Sequence, residues 1–195
     1  MNALIVVSHP NPKSLTHSIA AEVARSVSLS GSGHTVEIAD LMAEGFDPRF
    51  TPEDFAVHHQ ESPPAADVLA EQARIDWADA LVLVYPVFWW SMPGLMKGWI
   101  DRVFSNGWAF DYGAGGKLEK KLRHLKVHLI GVAGGDAGLF ERHGYSDAMK
   151  TQIDHGIFHY CGSEVVTSEL MLDSESKDPA AHLETARALG LRLFR

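Results

Sequence analysis

Two hydrophobic patterns alternate along the chain. Continuous apolar runs at residues 3–8, 80–85 and 127–133 are typical of strands covered on both faces of a sheet. The alternating residues 34–39 and the segment 164–172 predict two further strands. Between the strands, apolar residues recur at helical spacing. They predict a helix that follows Ser14 and ends at Gly31, and further helices over residues 67–77, 93–104, 145–160 and 179–194.

The alternation of strands and helices favours a parallel sheet with helices on both faces. Right-handed crossovers restrict its topology, and five strands suit the flavodoxin-like order 2-1-3-4-5. We therefore predict an α/β, doubly wound fold that forms a single domain over residues 1–195. In such sheets ligands bind beyond the carboxyl ends of the strands where the strand order reverses, here between the first and third strands.

The net charge and the cysteine content limit the classes of binding partner and the cellular compartment that we expect. The chain has 17 basic and 25 acidic residues, a net charge of −8, which argues against nucleic acid and anionic membrane surfaces. Its one cysteine, Cys161, allows no intrachain disulfide and fits a reducing cytoplasm. The longest apolar stretch, residues 80–90, contains Pro86 and is shorter than the roughly 20 residues of a membrane span. A cluster of basic residues is interpreted as a solvated face: Lys117, Lys120, Lys121, Arg123 and Lys126.

The loop after the first strand, residues 8–16, combines hydroxyl groups with His9 and Lys13. It has neither a glycine-rich dinucleotide turn nor a P-loop. Because it leads into a helix, its backbone N–H groups and hydroxyls predict an anion site, such as one for phosphate. The alternative is that Ser14 or Thr16 only caps the helix.

Two other loops reach the same edge of the sheet. Residues 85–93 are dense in aromatic side chains, which can form the wall of a site for a flat ligand. Residues 133–145 contain Gly134 and Gly135, which let a ligand approach the backbone closely, and His143, a candidate acid or base.

Other features carry no predicted chemistry. Trp99 and Phe104 are expected to pack within the fold, and Cys161 is expected to be a packed thiol. Residues 44–66 and 106–122 are expected to be long surface segments, with His58 and His59 facing solvent. The chain has no Gly-x-Ser-x-Gly elbow and no His-Glu-x-x-His motif, so neither a serine hydrolase nor a metal site is predicted.

Residues 86–104 read Pro-Val-Phe-Trp-Trp-Ser-Met-Pro-Gly-Leu-Met-Lys-Gly-Trp-Ile-Asp-Arg-Val-Phe. This run resembles the Pro-x-x-Trp-Phe/Tyr-x-x-Pro-x-x-Leu-Lys-Gly-Trp-x-Asp/Glu-Arg-Val-Phe motif of the flavodoxin-like NAD(P)H:quinone oxidoreductases. Residues 107–110, Gly-Trp-Ala-Phe, are similar to that family's Gly-Phe/Trp-Ala-Tyr. His9 with Ser14, the Gly134–Gly135 pair and residues 159–162 also match in order and spacing.

The resemblance implies a flavin across the switch point, FAD in the first place and FMN as the alternative. The residues expected to hold it are His9, Ser14, Leu15, Thr16, Pro86, Val87, Phe88, Trp89, Trp90, Ala133, Gly134, Gly135, His143 and Arg187.

The resemblance also implies the reaction, a two-electron, ping-pong hydride transfer from NADPH or NADH through flavin N5 to a quinone. His143 and Phe140 occupy the catalytic positions. Phe140 stands where the mammalian enzymes have Tyr, and Tyr145 is a candidate replacement for the missing hydroxyl. The substrate residues are Trp108, Phe110 and Tyr112, the last two capping the partner's site in a homodimer with shared active sites.

Three other functions remain open at this point. One is reduction of azo or nitro compounds by the same flavin. A second is an ancillary, regulatory subunit of a potassium-efflux system. A third is a one-electron carrier flavodoxin.

Overall fold

A computed structural model of the protein describes residues 1–31, 33–112, 116–175 and 178–194. Its main sheet is parallel and contains β1 (Asn2–Val7), β2 (Thr35–Asp40), β3 (Ala80–Pro86), β6 (Lys126–Val132) and β7 (Glu164–Met171). The strand order β2-β1-β3-β6-β7 confirms the predicted order 2-1-3-4-5. A separate antiparallel hairpin is formed by β4 (Phe110–Tyr112) and β5 (Leu118–Lys120).

The helices are α1 (Leu15–Ser30), α2 (Pro52–His58), α3 (Ala66–Trp77), α4 (Gly94–Val103), α5 (Ala137–His143), α6 (Tyr145–Met149) and α7 (Pro179–Leu191). After α6 the chain continues in π-helical turns over Lys150–His159. Each face of the sheet has its own core. Ile19 and Val23 of α1 pack with Leu189 of α7 on one face, while Met96 and Trp99 of α4 are buried on the other. Helices therefore cover both faces, as predicted.

The structure corrects the two long surface segments. Residues 44–66 contain α2, which starts at Pro52 beneath a reciprocal cap between Thr51 and Asp54. Residues 106–122 contain the β4–β5 hairpin, and residues 113–115 of that segment lie outside the described residues. A further short helix, α5, lies in the predicted loop 133–145.

Residues 44–66 are docked onto α4. The buried guanidinium of Arg102 donates to the carboxylates of Asp54 and Asp67 and to the carbonyl oxygen of Asp47. One turn earlier, a Cβ on Gly98 would overlap the carbonyl oxygen of Pro48. The buried ion pairs of Arg102 and the close approach of Gly98 to Pro48 together fix this segment on α4. Displacing the segment would leave the Arg102 charge buried without its partners.

Within the described ranges, the helices are too short or too polar to cross a membrane.

Candidate functional site

The loops after β1, β3 and β6 meet at the carboxyl edge of the sheet, where the strand order reverses. The N–H of Ser8 donates to the carbonyl of Val84 at 3.3 Å, which ties the end of β1 to β3. The N–H of Val87 donates to the carbonyl of Val132 at 2.8 Å, which ties the end of β3 to β6. The three loops predicted from the sequence are therefore held side by side.

The first loop ends in the N-terminus of α1. Ser14 Oγ accepts from the N–H of His17 at 3.2 Å, so Ser14 does cap the helix. This cap leaves the N–H groups of Leu15 and Thr16 available, because the first turn of a helix has no intrahelical acceptors. The anion-site and capping interpretations of this loop are thus compatible.

His9 lies beside this helix end as a neutral donor. Its Nδ1 accepts from the N–H of Asn11 at 3.0 Å, so the ring proton is on Nε2. Burial, with a smaller effect of nearby His17, lowers the pKa of His9 below its ordinary value of 6.5. At neutral pH, His9 therefore presents an uncharged Nε2–H.

A chain of hydrogen bonds supports Ser14 from behind. His17 Nδ1 lies 2.9 Å from Ser14 Oγ, and His17 Nε2 lies 2.9 Å from Asp40 Oδ2 at the end of β2. This support was not predicted from the sequence. The contact between Ser14 and His17 could have been predicted, because the two residues are one helical turn apart. The contact with Asp40 could not, because only the pairing of β2 with β1 brings Asp40 near.

The second loop makes a strained tight turn. The N–H of Phe88 donates to the carbonyl of Ser91 at 3.0 Å, and the reverse bond is 3.1 Å. Trp89 and Trp90 both have positive φ, 51° and 58°, which is an outlier conformation for such bulky residues. Their two N–H groups have no acceptor within the described part of the chain, and the Trp89 side chain is 92% exposed.

Trp90 begins a stack of rings. The Trp90 ring is stacked on Tyr145 at 3.6 Å between centroids and 10° between planes, and the His143 ring is stacked on Tyr145 at 5.1 Å and 21°. Phe140 is buried below, with its ring edge-on to Trp90 at 5.4 Å. Tyr145 is thus the aromatic hydroxyl next to His143, while Phe140 supports the stack from the core.

The third loop is closely packed around its paired glycines. A Cβ on Gly135 would lie 3.0 Å from Leu139 and 3.3 Å from the Phe140 ring, so little beyond hydrogen fits there. The N–H groups of Gly134 and Gly135 have no acceptor among the described residues. The carbonyl oxygens of Ala133 and Gly135 accept from the backbone of residues 173–174, which closes this loop against the end of β7.

The remaining predicted flavin residue lies farther off. Arg187 is on α7, half exposed, with a guanidinium nitrogen 3.8 Å from Glu184. Because α7 packs along α1, Arg187 lies beside the helix that Ser14 caps.

The three predicted substrate residues do not share one pocket. Phe110 lies in an apolar pocket of about 530 Å³, against the ring of Tyr160 at 5.2 Å. Tyr112 is more than half exposed beside it on the same short strand. Trp108 instead packs on Phe104, and its indole N–H donates to Asp76 at 3.3 Å. The structure thus groups Phe110 with the pocket and separates Trp108 from it.

The apolar pocket includes residues that the sequence analysis assigned to solvent or overlooked. His58 is half-buried in its wall, with its ring 5.5 Å from Phe50 and 6.3 Å from Phe110, which corrects the expectation that it faces solvent. Cys161 also lines it as a packed thiol, and burial raises the pKa of this thiol to about 12. No group of metal-binding side chains occurs among the described residues.

The donor set fits a flavin. The three loops at the carboxyl edge contribute six backbone N–H groups that have no acceptor among the residues the structure describes: those of Leu15, Thr16, Trp89, Trp90, Gly134 and Gly135. A helix N-terminus suits a phosphate, and further N–H donors suit the carbonyl-rich edge of an isoalloxazine. The aromatic stack supplies a flat wall between them.

Comparisons with known proteins agree with this geometry. The family model described as "Flavodoxin-like fold" matches residues 1–191. Ribosyldihydronicotinamide dehydrogenase (quinone) of Pongo abelii is 30% identical over 194 residues, covering 88% of this chain and 81% of the relative. NAD(P)H dehydrogenase (quinone) 1 of Cavia porcellus is 29% identical over 190 residues, covering 86% of this chain and 67% of the relative.

Among solved structures, the NAD(P)H:quinone oxidoreductase from Methanothermobacter marburgensis superimposes with a TM-score of 0.89 at 27% identity. It covers 100% of this chain and 98% of that one. The chain therefore belongs to the flavodoxin-like family of NAD(P)H:quinone oxidoreductases.

Proposed function

We propose that this protein is a flavin-dependent NAD(P)H:quinone oxidoreductase. The observation that carries the proposal is the set of N–H groups, without an acceptor in the described part of the chain, that three loops contribute beside the aromatic stack at the switch point. The chemistry that a flavin supplies when bound is two-electron, ping-pong hydride transfer at N5, from NAD(P)H to a quinone. The protein's part is to bind, orient and tune this group.

The first loop binds the phosphate end. The N–H groups of Leu15 and Thr16 and the Nε2–H of His9 would donate to phosphate oxygens, and Ser14 holds the helix end in place. The second and third loops would hold the ring. The N–H groups of Trp89 and Trp90 would bind one edge, and those of Gly134 and Gly135 would bind the pyrimidine side and stabilise negative charge there.

His143 is the proposed source of the proton that the quinone takes up. A quinone that accepts a hydride also takes up one proton, and His143 is the exposed titratable ring at the outer end of the stack. Tyr145 lies against it and offers the hydroxyl that Phe140 lacks. Phe140 contributes shape only, because it is buried and has no group that titrates.

The working unit of this proposal is a homodimer with shared sites. Four aromatic side chains around the apolar pocket are substantially exposed: Phe50, Phe55, Tyr112 and Tyr160. Exposed apolar patches of this kind mark interaction surfaces. Phe110 and Tyr112 would then cap the partner's flavin and contact the quinone.

FAD is the proposed flavin, because Arg187 on α7 gives a cation beside α1 for the additional adenylate. Flavin released from the purified protein is expected to have the mass of FAD. Arg187→Ala should weaken binding of FAD but not of FMN, as measured by quenching of flavin fluorescence. Equal weakening of both would remove Arg187 from the site, and a stable FMN complex with no FAD would reverse the choice.

The acceptor is tested by steady-state kinetics. With NADPH or NADH as donor, a quinone series should give parallel double-reciprocal lines and higher kcat/KM than azo or nitro compounds of similar size. Higher kcat/KM for the azo or nitro compounds would favour that alternative. A flavin that NADPH and NADH reduce only through another protein would favour a one-electron carrier, and copurification with a membrane transporter would favour the regulatory subunit.

The cytoplasm is the proposed location, since the single buried thiol needs no oxidising compartment.

A further inference from the structure

A second cleft, separate from the apolar pocket, concentrates positive charge. It has a volume of about 500 Å³ and is lined by Lys120, Arg123, His159, Gly162 and Ser163. The chain as a whole carries a net charge of −8, so the local charge of this cleft is opposite in sign to the net charge. From the sequence this region was interpreted as a solvated face, whereas in the structure part of it forms a concave surface.

The cations of this region are not neutralised by carboxylates. Over the described ranges, no ion pair forms at Lys117, Lys120, Lys121, Arg123 or Lys126. A basic cluster that served only to stabilise the fold would be expected to meet acidic partners, of which the chain has many. These cations are therefore available to an anion.

Two of the cations are held in position. The ammonium of Lys120 donates to the carbonyl oxygen of His159, and Arg123 Nε donates to the carbonyl oxygen of Lys120 at 3.3 Å. A Cβ on Gly162 would lie 2.8 Å from Lys120 Cβ and 3.1 Å from Arg123 Cγ, so the glycine lets both stems lie close together. Lys120 retains two ammonium hydrogens and Arg123 retains the outer guanidinium donors, the arrangement that suits a phosphate.

The cationic cleft adjoins the apolar pocket. In the hairpin, Phe110 of the pocket is the cross-strand partner of Lys120 of the cleft. Along the chain, Tyr160 and Cys161 of the pocket lie between His159 and Gly162 of the cleft. A ligand that carries both a flat ring and a phosphate can therefore occupy the two together.

We propose that Lys120 and Arg123 bind a phosphate group of the nicotinamide dinucleotide while its ring is at the partner's flavin, which Phe110 caps across the dimer. This inference rests on the proposed function, because it concerns the same electron donor. Two phosphate sources share this chemistry: the 2′-phosphate that only NADPH has, and the pyrophosphate that NADPH and NADH both have.

Kinetics of the flavin-loaded protein test the assignment. Lys120→Gln and Arg123→Gln should each raise the KM for the donor about tenfold, since one charge-assisted hydrogen bond is lost. An effect on NADPH alone identifies the 2′-phosphate, and an equal effect on NADH identifies the pyrophosphate. Lys120→Arg should keep the KM near that of the unmodified protein, because the charge is retained.

The matched control is Lys126→Gln, which removes a charge from the same cluster but outside the cleft. It should leave the KM unchanged. A rise in KM equal to that of Lys120→Gln would mean that only the general field matters, and it would overturn the proposal. Unchanged KM values in both cleft variants would overturn it as well.

Calorimetry separates this proposal from the function on which it rests. Adenosine 2′,5′-bisphosphate, or inorganic pyrophosphate for the second source, should bind the flavin-loaded protein and lose affinity in Lys120→Gln and Arg123→Gln. If this binding holds but neither NADPH nor NADH is oxidised, the proposed function fails and the phosphate site stands. If NADPH is oxidised but neither probe loses affinity in the variants, the phosphate site fails and the function stands.

Discussion

Trp89 and Trp90 show at the residue scale how the backbone departs from its preferred conformation at the candidate site. Both have positive φ in a two-residue turn of the kind that usually contains Asn or Gly. Holding a non-glycine residue in this region costs about 1 kcal/mol or more. Such strain persists where the surrounding structure imposes it, and here it occurs in a loop at the carboxyl edge whose two N–H groups have no acceptor among the described residues.

Replacing Trp89 by glycine should separate stability from function. Because the side chain is almost fully exposed, Trp89→Gly loses little packing and relieves the positive φ. We expect the free energy of unfolding, measured in urea, to rise by about 1 kcal/mol relative to Trp89→Ala, which keeps the strain. Flavin affinity should fall in both variants, because both lose the ring. A Gly variant no more stable than the Ala variant would contradict the strain argument.

The role of His143 is tested by its removal. His143→Ala should leave flavin bound but slow one of the two half-reactions by roughly 100-fold, the usual range for loss of an acid–base group. Stopped-flow absorbance measures each half-reaction separately. Tyr145→Phe keeps the ring stack while it removes the hydroxyl, so it shows how much of the effect passes through Tyr145. Unchanged rates in His143→Ala would remove this residue from the mechanism.

Some site residues could be predicted from the sequence and others could not. The residue types and their place after strands were enough to single out Ser14, Trp90 and Gly134, because the fold brings strand ends to one edge. The Trp90–Tyr145–His143 stack depends on ring orientation across two loops, which spacing does not encode.

At the scale of elements, the sheet was predictable because its three central strands, β1, β3 and β6, are buried on both faces and are therefore mostly apolar. Helix α2 and the β4–β5 hairpin were missed for a different reason. The prolines of residues 44–66 suggested a loop, although Pro52 after Thr51 is also a helix-start signal when Asp54 completes the cap. The hairpin strands have three residues each, too few to show a period.

The docking of residues 44–66 on α4 gives a prediction with a matched control. In Gly98→Ala, the new Cβ would overlap the backbone of Pro48, and we expect a loss of about 2 kcal/mol in the free energy of unfolding. Gly94→Ala, at the start of the same helix, meets no atom within 4 Å and should gain about 0.5 kcal/mol. Denaturation in urea measures both, and equal effects would show that the contact with Pro48 does not matter.

Gly98→Ala should also disturb the apolar pocket. Phe50 and Phe55, which line it, belong to the segment that Gly98 and Arg102 hold. Limited proteolysis of Gly98→Ala should therefore cut within residues 44–66 faster than in Gly94→Ala. Similar cutting in the two variants would indicate that Arg102 alone is sufficient to hold the segment.

At the scale of the whole molecule, the exposed aromatic patch predicts association of two chains. Light scattering should give twice the 21.4 kDa mass of one chain. Phe55→Glu places a charge in the patch and should shift the protein towards monomer and lower its activity at low concentration. Leu29→Glu is the control, since Leu29 is equally exposed on α1 but outside the patch. A monomer in the unmodified protein, or dissociation by Leu29→Glu alone, would contradict a dimer built on this surface.

The central claim is that one flavin, held by the three loops, transfers hydride from NAD(P)H to a quinone. Its most direct test is an anaerobic titration of the purified protein, followed by absorbance. One equivalent of NADPH or NADH should bleach the oxidised-flavin band, and one equivalent of benzoquinone should restore it. A protein that takes up neither FAD nor FMN, or a bound flavin whose band does not respond to either donor, would contradict the account.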